Sequence, residues 1–137
     1  MKTQLFQTAV AALTLAAAGY AQSAQELKVT VGFDFVAGSR TLPAGQYTVS
    51  QPPNSSAVVI RGMGVPRGAV VLANKVESPG RQEIGKLVFH RYGDRYFLAE
   101  VWETGRTVGR QIPKTPQERK ARQNSREDLA TIFVAAH

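Results

Sequence analysis

Lys86-Leu87-Val88-Phe89-His90-Arg91-Tyr92-Gly93-Asp94-Arg95-Tyr96-Phe97-Leu98-Ala99-Glu100-Val101-Trp102 is the stretch that decides the fold. Two runs rich in apolar and aromatic residues flank Gly93-Asp94. A Gly-Asp pair between such runs is a two-residue β-hairpin turn of the I′ or II′ kind, with glycine supplying the positive φ that strand twist demands. Pairing 92 with 95 and 91 with 96 places Val88, His90, Tyr92, Phe97, Ala99 and Val101 on one face. Leu87, Phe89, Arg91, Tyr96, Leu98, Glu100 and Trp102 fall on the other. A half-solvated antiparallel sheet shows one polar side, and here neither face is polar. The hairpin therefore reads as central and covered on both sides, or as carrying a ligand or partner surface. A bulge would change which residues sit together.

Working outward, the same period of two recurs. Val29, Val31, Phe33 and Phe35 alternate with Lys28, Thr30, Gly32 and Asp34, which predicts a half-buried strand over 28–35. Leu42-Pro43-Ala44-Gly45 suits a turn, with proline fixing φ. Gln46 to Ser50 resumes the alternation, so these first two segments are expected to be antiparallel neighbours. Ala57 to Arg61 and Ala69 to Val76 are further strands, fenced by Pro52-Pro53-Asn54, by Gly62, Gly64, Pro66 and Gly68, and by Ser78-Pro79-Gly80. Thr115-Pro116-Gln117-Glu118 opens a helix with a threonine cap, proline at the first position and Glu118 completing a capping box. It should run to about Asn124, polar nearly all round, with Ala121 its one apolar residue and Glu118 paired to Arg122 along it. Leu129 to Ala135 reads as a closing strand.

The expected fold is all-β: a small antiparallel barrel, or a sandwich, of seven or eight strands with one late polar helix. Barrel closure would come from the last strand pairing with the first, which removes both exposed edges.

The first 21 residues have the form of an export leader. Lys2 gives a positive start, Leu5 to Ala18 is apolar, and the small residues Gly19 and Ala21 mark a cleavage point before Gln22. The apolar run is shorter than the roughly 20 residues of a membrane span. The expectation is a signal peptide over 1–21 and one exported β domain over 22–137, periplasmic or extracellular. The chain has no cysteine and a net charge of +7. It has no disulfide framework and no thiolate metal site, and it must be held by its core alone.

Several blocks together resemble one family of small, functionally uncharacterised exported proteins of soil bacteria. They are Phe33-Asp34-Phe35, Leu42-Pro43-Ala44-Gly45-Gln46-Tyr47-Thr48-Val49, the Phe89-His90-Arg91-Tyr92-Gly93-Asp94 hairpin with Arg95-Tyr96-Phe97-Leu98 and Trp102, and the basic stretch from Lys114 to Arg122. The resemblance covers most of the domain after the leader. It implies an exported β domain and brings no catalytic residues with it.

Candidate chemistry is sparse. His90 is the one internal histidine and His137 is terminal, too few for a convincing zinc set. No Gly-x-Ser-x-Gly elbow is present, and the serines sit in or beside turns. The Gly62, Gly64 and Gly68 run lacks the Lys-Ser/Thr ending of a phosphate loop. Glu100 and Glu103 alternate to opposite faces, which does not suit paired-carboxylate glycoside cleavage, and Glu100 and Arg91 share the expected face in a polar network. No catalytic, cofactor or metal residue is assigned. The candidate ligand or partner surface is His90, Arg91, Tyr92, Tyr96, Glu100 and Trp102, with a cavity at Leu87, Phe89, Tyr96 and Trp102 as its sign.

The clearest surface feature is basic: Arg106, Arg110, Lys114, Arg119, Lys120, Arg122 and Arg126. It is either a solvated, ion-paired helix face or an attraction for an anionic envelope component. Another exported protein is the second kind of partner. Nucleic acid is excluded by location and by the lack of interleaved aromatics, and no membrane-spanning segment follows the leader. The function expected is non-enzymatic: a binding or accessory protein of the envelope, with a ligand-free structural protein and a small hydrolase as alternatives.

Overall fold

The computed structural model describes residues 26–64 and 66–133; the leader, the cleavage point and the end of the expected closing strand lie outside them. The strands are β1 (Glu26–Val31), β2 (Phe35–Ala37), β3 (Arg40–Leu42), β4 (Gly45–Ser50), β5 (Ala57–Gly62), β6 (Gly68–Leu72), β7 (Asn74–Glu77), β8 (Lys86–Tyr92), β9 (Arg95–Trp102), β10 (Val108–Gln111) and β11 (Glu127–Phe133). Among the described residues one helix, α1 (Pro116–Asn124), precedes β11. The fold is all-β, with eleven short strands among the described residues rather than seven or eight. β3 and β10 are additions too short to show a period in sequence, β2 begins at the end of the expected 28–35 strand, and the strand expected over 69–76 divides at Ala73 into β6 and β7, which belong to different sheets.

The strands form two sheets. One has the order β1-β4-β5-β6 and the other β11-β8-β9-β10-β7, with the β2–β3 hairpin joining the second through a parallel contact of Val36 with Phe97. The alternation over 28–35 is thus shared between sheets. β1 ends at Val31, and Phe35 already belongs to the opposite sheet. β1 and β4 are antiparallel neighbours as expected, with the β2–β3 hairpin of the other sheet between them in sequence. The Asp34 side chain accepts from the Ala44 N–H (2.9 Å) and ties the two ends of that excursion together.

The sheets do not close into a barrel. β11 hydrogen-bonds to β8 along its length, from Glu127 opposite Tyr92 to Phe133 opposite Lys86, and not to β1. Register explains the choice: Ala130 and Ile132 turn inward onto the core while Leu129 and Phe133 face outward. The core fills the space between the sheets with Val29, Val31, Val49, Val58 and Ile60 from one side and Leu87, Phe89, Leu98 and Val101 from the other. Phe35 meets Tyr47 and Phe89 edge to face, with centroids 5.3 and 5.4 Å apart. Each such fully buried side chain contributes about 1.5–3 kcal/mol by leaving water.

The β8–β9 hairpin sits inside its sheet and is covered on both sides. Its turn has φ +62° at Gly93, with Asp94 outside the left-handed region, which is the II′ pattern. A bulge lies between Val88 and Phe89, where Ala99 is the extra residue of β9. It reverses the facing of the last three residues of β9. Val101 joins Leu87 and Phe89 in the core, while Glu100 and Trp102 move to the outer side with His90. Trp102 lies flat over Gly109 of β10, where an added Cβ would come within 2.5 Å of the indole. Among the described residues no helix is long and apolar enough to cross a membrane.

Candidate functional site

The six residues of the expected surface do not lie together. His90, Tyr92, Glu100 and Trp102 share the outer face, whereas Arg91 and Tyr96 are on the inner one. The expected Arg91–Glu100 network is not formed. Glu100 accepts from Trp102 Nε1 (2.8 Å), and Arg91 Nε donates to the Gly93 carbonyl (2.8 Å). Tyr96 stacks on Phe33 with centroids 3.8 Å apart. Leu87 and Phe89, expected to line a cavity with Tyr96 and Trp102, are instead packed into the core.

On the outer face, helix α1 docks by one polar cluster. Thr115 Oγ1 accepts from the Glu118 N–H (3.2 Å), so the threonine half of the capping box is present. The Glu118 side chain does not fold back to the cap, nor does it pair with Arg122. It points into the sheet, 3% exposed, and its Oε2 lies 2.8 Å from His90 Nδ1 and 2.8 Å from Tyr92 Oη. Tyr92 Oη is also 2.8 Å from Glu127 Oε1 on β11, and Lys114 Nζ donates to that oxygen at 2.9 Å. Beneath the cluster Val36, Tyr92, Phe97 and Ala121 form a small apolar core of their own. The helix therefore does contribute to the interior. Glu118 and Ala121 are three apart and share its buried face.

Burial pushes the Tyr92 hydroxyl far above the ordinary tyrosine range, and its bonds to Glu118 and Glu127 push it the same way. The bonds from Lys114 and then Tyr92 hold the Glu127 carboxyl below the usual carboxylate range. A histidine, two carboxylates and a hydroxyl do meet here. The hydroxyl, however, is made harder to ionise, the reverse of what a nucleophile needs. His90 Nδ1, Glu118 Oε2 and Glu127 Oε1 lie within 4.8 Å of one another and have the donor types of a divalent-cation site. Tyr92 Oη and Lys114 Nζ already bond to those same carboxylate oxygens. With His90 beside Glu118, Lys114 donating to Glu127 and the single Tyr92 proton shared between the two carboxylates, the cluster fastens α1 and β11 onto β8.

A second polar region is built differently. At the β7–β10 end the inner face of the sheet changes from apolar to charged, and the two sheets splay into a cleft of about 520 Å³. Its walls are Gln51, Pro52, Pro53 and Asn54 from the β4–β5 turn, Lys75 and Glu77 from β7, Glu103 and Arg106 after β9, and Val108 and Arg110 from β10. Register sets Arg110 directly opposite Lys75, and like charges so placed repel. Arg110 reaches across to the other sheet, with Nε donating to Gln51 Oε1 (3.3 Å) and Nη2 to the Ser55 carbonyl (3.0 Å). Because Nε–H can donate only to an oxygen, that bond fixes the amide's orientation. Gln51 Nε2 is then left buried with no partner. Glu103, 8% exposed as a whole residue, makes no side-chain hydrogen bond or ion pair among the described residues, and its carboxylate oxygens stay within reach of solvent in the cleft.

The basic stretch is divided accordingly. Arg106 and Arg110 face the cleft, Lys114 belongs to the His90 cluster, and Arg119, Lys120, Arg122 and Arg126 are exposed on or beside α1. Gln51, Lys75 and Glu103 carried no motif in sequence, because strand pairing and a splayed sandwich bring them together. Glu118 had a signal, its spacing from Ala121, which the capping pattern masked. No protein-family model matches the chain, and no curated protein and no solved structure matches it.

Proposed function

We propose that this chain is a non-enzymatic exported binding domain that holds an anionic ligand in the cleft between its two sheets. The observation that carries the reading is the cross-strand pair of Lys75 and Arg110 beside the unpartnered amide of Gln51. Facing cations repel and a buried amide N–H without an acceptor costs about 1–3 kcal/mol. An anion seated between them relieves the repulsion and supplies acceptors to that wall. Arg106 makes a third cation in the lining, against the carboxylates of Glu77 and Glu103, so the excess of positive charge lies on the Lys75–Arg110 wall. Export rests on the leader over 1–21 and on the family resemblance, and it makes an anionic component of the envelope the partner to look for. The exposed Arg119, Lys120 and Arg122 would add long-range attraction.

The test is retention of the purified chain on immobilised polygalacturonate, dextran sulfate and neutral dextran across a salt gradient. Retention on at least one anionic matrix and none on neutral dextran is expected, with elution at lower salt for Lys75→Gln and Arg106→Gln. Equal elution of these variants and the parent chain on every matrix would overturn the proposal.

A further inference from the structure

We infer that the free edge of β6 is a docking site for an acidic, extended segment of a partner protein, which adds to the β1-β4-β5-β6 sheet as a further strand. β6 ends that sheet and is paired only with β5. The Gly62 N–H donates to the Arg67 carbonyl and the Ala73 N–H to the Ser56 carbonyl, and these two bonds fix the alternation between them. Residues 67, 69, 71 and 73 turn their backbone groups toward β5, and 68, 70 and 72 turn theirs away from it. Arg40 Nη1 donates to the Gly68 carbonyl from that outer side (3.1 Å). Val70 and Leu72 keep outward-facing N–H and C=O groups with which no strand among the described residues is paired. Their side chains are 70% and 73% exposed, whereas Val71 between them is buried. Unpaired backbone groups beside alternating apolar side chains are the template that strand addition uses.

Charge selects the occupant. Arg40, Arg61 and Arg67 border one shallow groove of about 450 Å³ together with Val59 and Val70, and no carboxylate lines it. None of these arginines is ion-paired among the described residues. Asp34 lies in the adjoining hollow, where it accepts from the Ala44 N–H. Arg61 is exposed opposite Gly68, and Val59 on the same face of β5 is opposite Val70. A strand laid along β6 therefore meets apolar side chains at Val70 and Leu72 and arginines toward Gly68. Antiparallel pairing sets the partner's acidic residues at the C-terminal end of its apolar run. The chain's own segments outside the described residues, 1–25 and 134–137, contain no Asp or Glu. A second copy paired through β6 brings the same arginines and no carboxylate to meet them. The complement is an acidic strand of another protein. This groove shares no lining residue with the cleft of Lys75 and Arg110.

The experiment follows the fluorescence anisotropy of a short capped peptide, valine and threonine alternating and a run of glutamates after them, titrated with the purified chain. One comparison peptide carries lysines in place of the glutamates, and another carries N-methyl groups throughout the apolar run, which block strand pairing. The acidic peptide is expected to bind, and both comparison peptides to bind at least about tenfold more weakly. Arg61→Gln combined with Arg67→Gln should lose about tenfold for the acidic peptide. Val70→Pro, which removes a donor from the free edge alone, should weaken it to a similar extent, with thermal midpoints verifying folding. Equal binding of the acidic peptide and either comparison peptide sinks the inference. So does binding of phosphatidylglycerol vesicles without binding of the peptide, which would make the edge a lipid-facing patch. Lys75→Gln should bind the acidic peptide as the parent chain does. If it loses as much as the arginine pair, the peptide lies in the cleft, and the edge falls while anion binding stands. If the acidic peptide does not bind a parent chain that is retained on an anionic matrix, the edge falls alone. The three peptides on the parent chain decide even if Val70→Pro does not fold.

Discussion

The cluster around His90 and the cleft around Arg110 contain the same kinds of groups and treat them in opposite ways. Beneath α1, Glu118 and Glu127 share Tyr92, His90 and Lys114, so each carboxylate has its donors. In the cleft, Lys75 faces Arg110 and the Gln51 amide nitrogen is buried without an acceptor. Satisfied buried polar groups hold a structure together, and unsatisfied ones carry a free-energy cost that a ligand can remove. The difference separates a fastening from a site, although both are polar and lie at the ends of the same sheet.

If that division is right, variants in one region should leave the other's property intact. The largest effect is expected from Glu118→Ala. It strips His90 and Tyr92 of a buried acceptor and should cost about 3 kcal/mol in urea unfolding, with cleft binding unchanged. Arg110→Gln should weaken anion binding by at least tenfold while shifting stability by less than about 1 kcal/mol. Loss of binding in the first variant, or of folding in the second, would erase the distinction.

Tyr92→Phe probes the fastening by pH. A tyrosine whose folded value is raised stabilises fully below its unfolded value of about 10 and loses that contribution as pH rises beyond it. The parent chain should therefore lose stability above pH 10, and Tyr92→Phe should flatten that limb while costing about 1 kcal/mol at neutral pH. The acid side has the opposite sign. Glu127, held low by Lys114 and Tyr92, stabilises above its ordinary range and loses that contribution as pH falls through its folded value. Lys114→Met should blunt the acid limb of a pH–stability curve.

The smallest change sharpens the comparison most. Gln51→Glu keeps the oxygen that Arg110 Nε uses and replaces the orphaned amide nitrogen with a second acceptor. Stability should rise by up to about 1 kcal/mol while anion binding falls, the trade expected of a site rather than of a scaffold. A variant that is both less stable and unaltered in binding would place Gln51 in the framework.

The strands that were legible in the sequence are those long enough to show a period, above all β8 and β9 around Gly93-Asp94, and the helix was marked by Thr115 and Pro116. Alternation and turn chemistry act over a few residues, so the chain alone determines them. The assignment of β1 and β2 to different sheets, the bulge that carries Glu100 and Trp102 to the outer face, and β11 pairing with β8 instead of β1 follow from competing long-range packings. No local signal ranks those. The same holds for the two polar regions. Glu118 was visible as a cap and became a buried partner of His90 only when α1 docked. Gln51, Lys75, Glu103 and Arg110 came together only when the two sheets packed and splayed. Whether a polar group finds its partner depends on neighbours from distant elements, and those neighbours are set by tertiary structure.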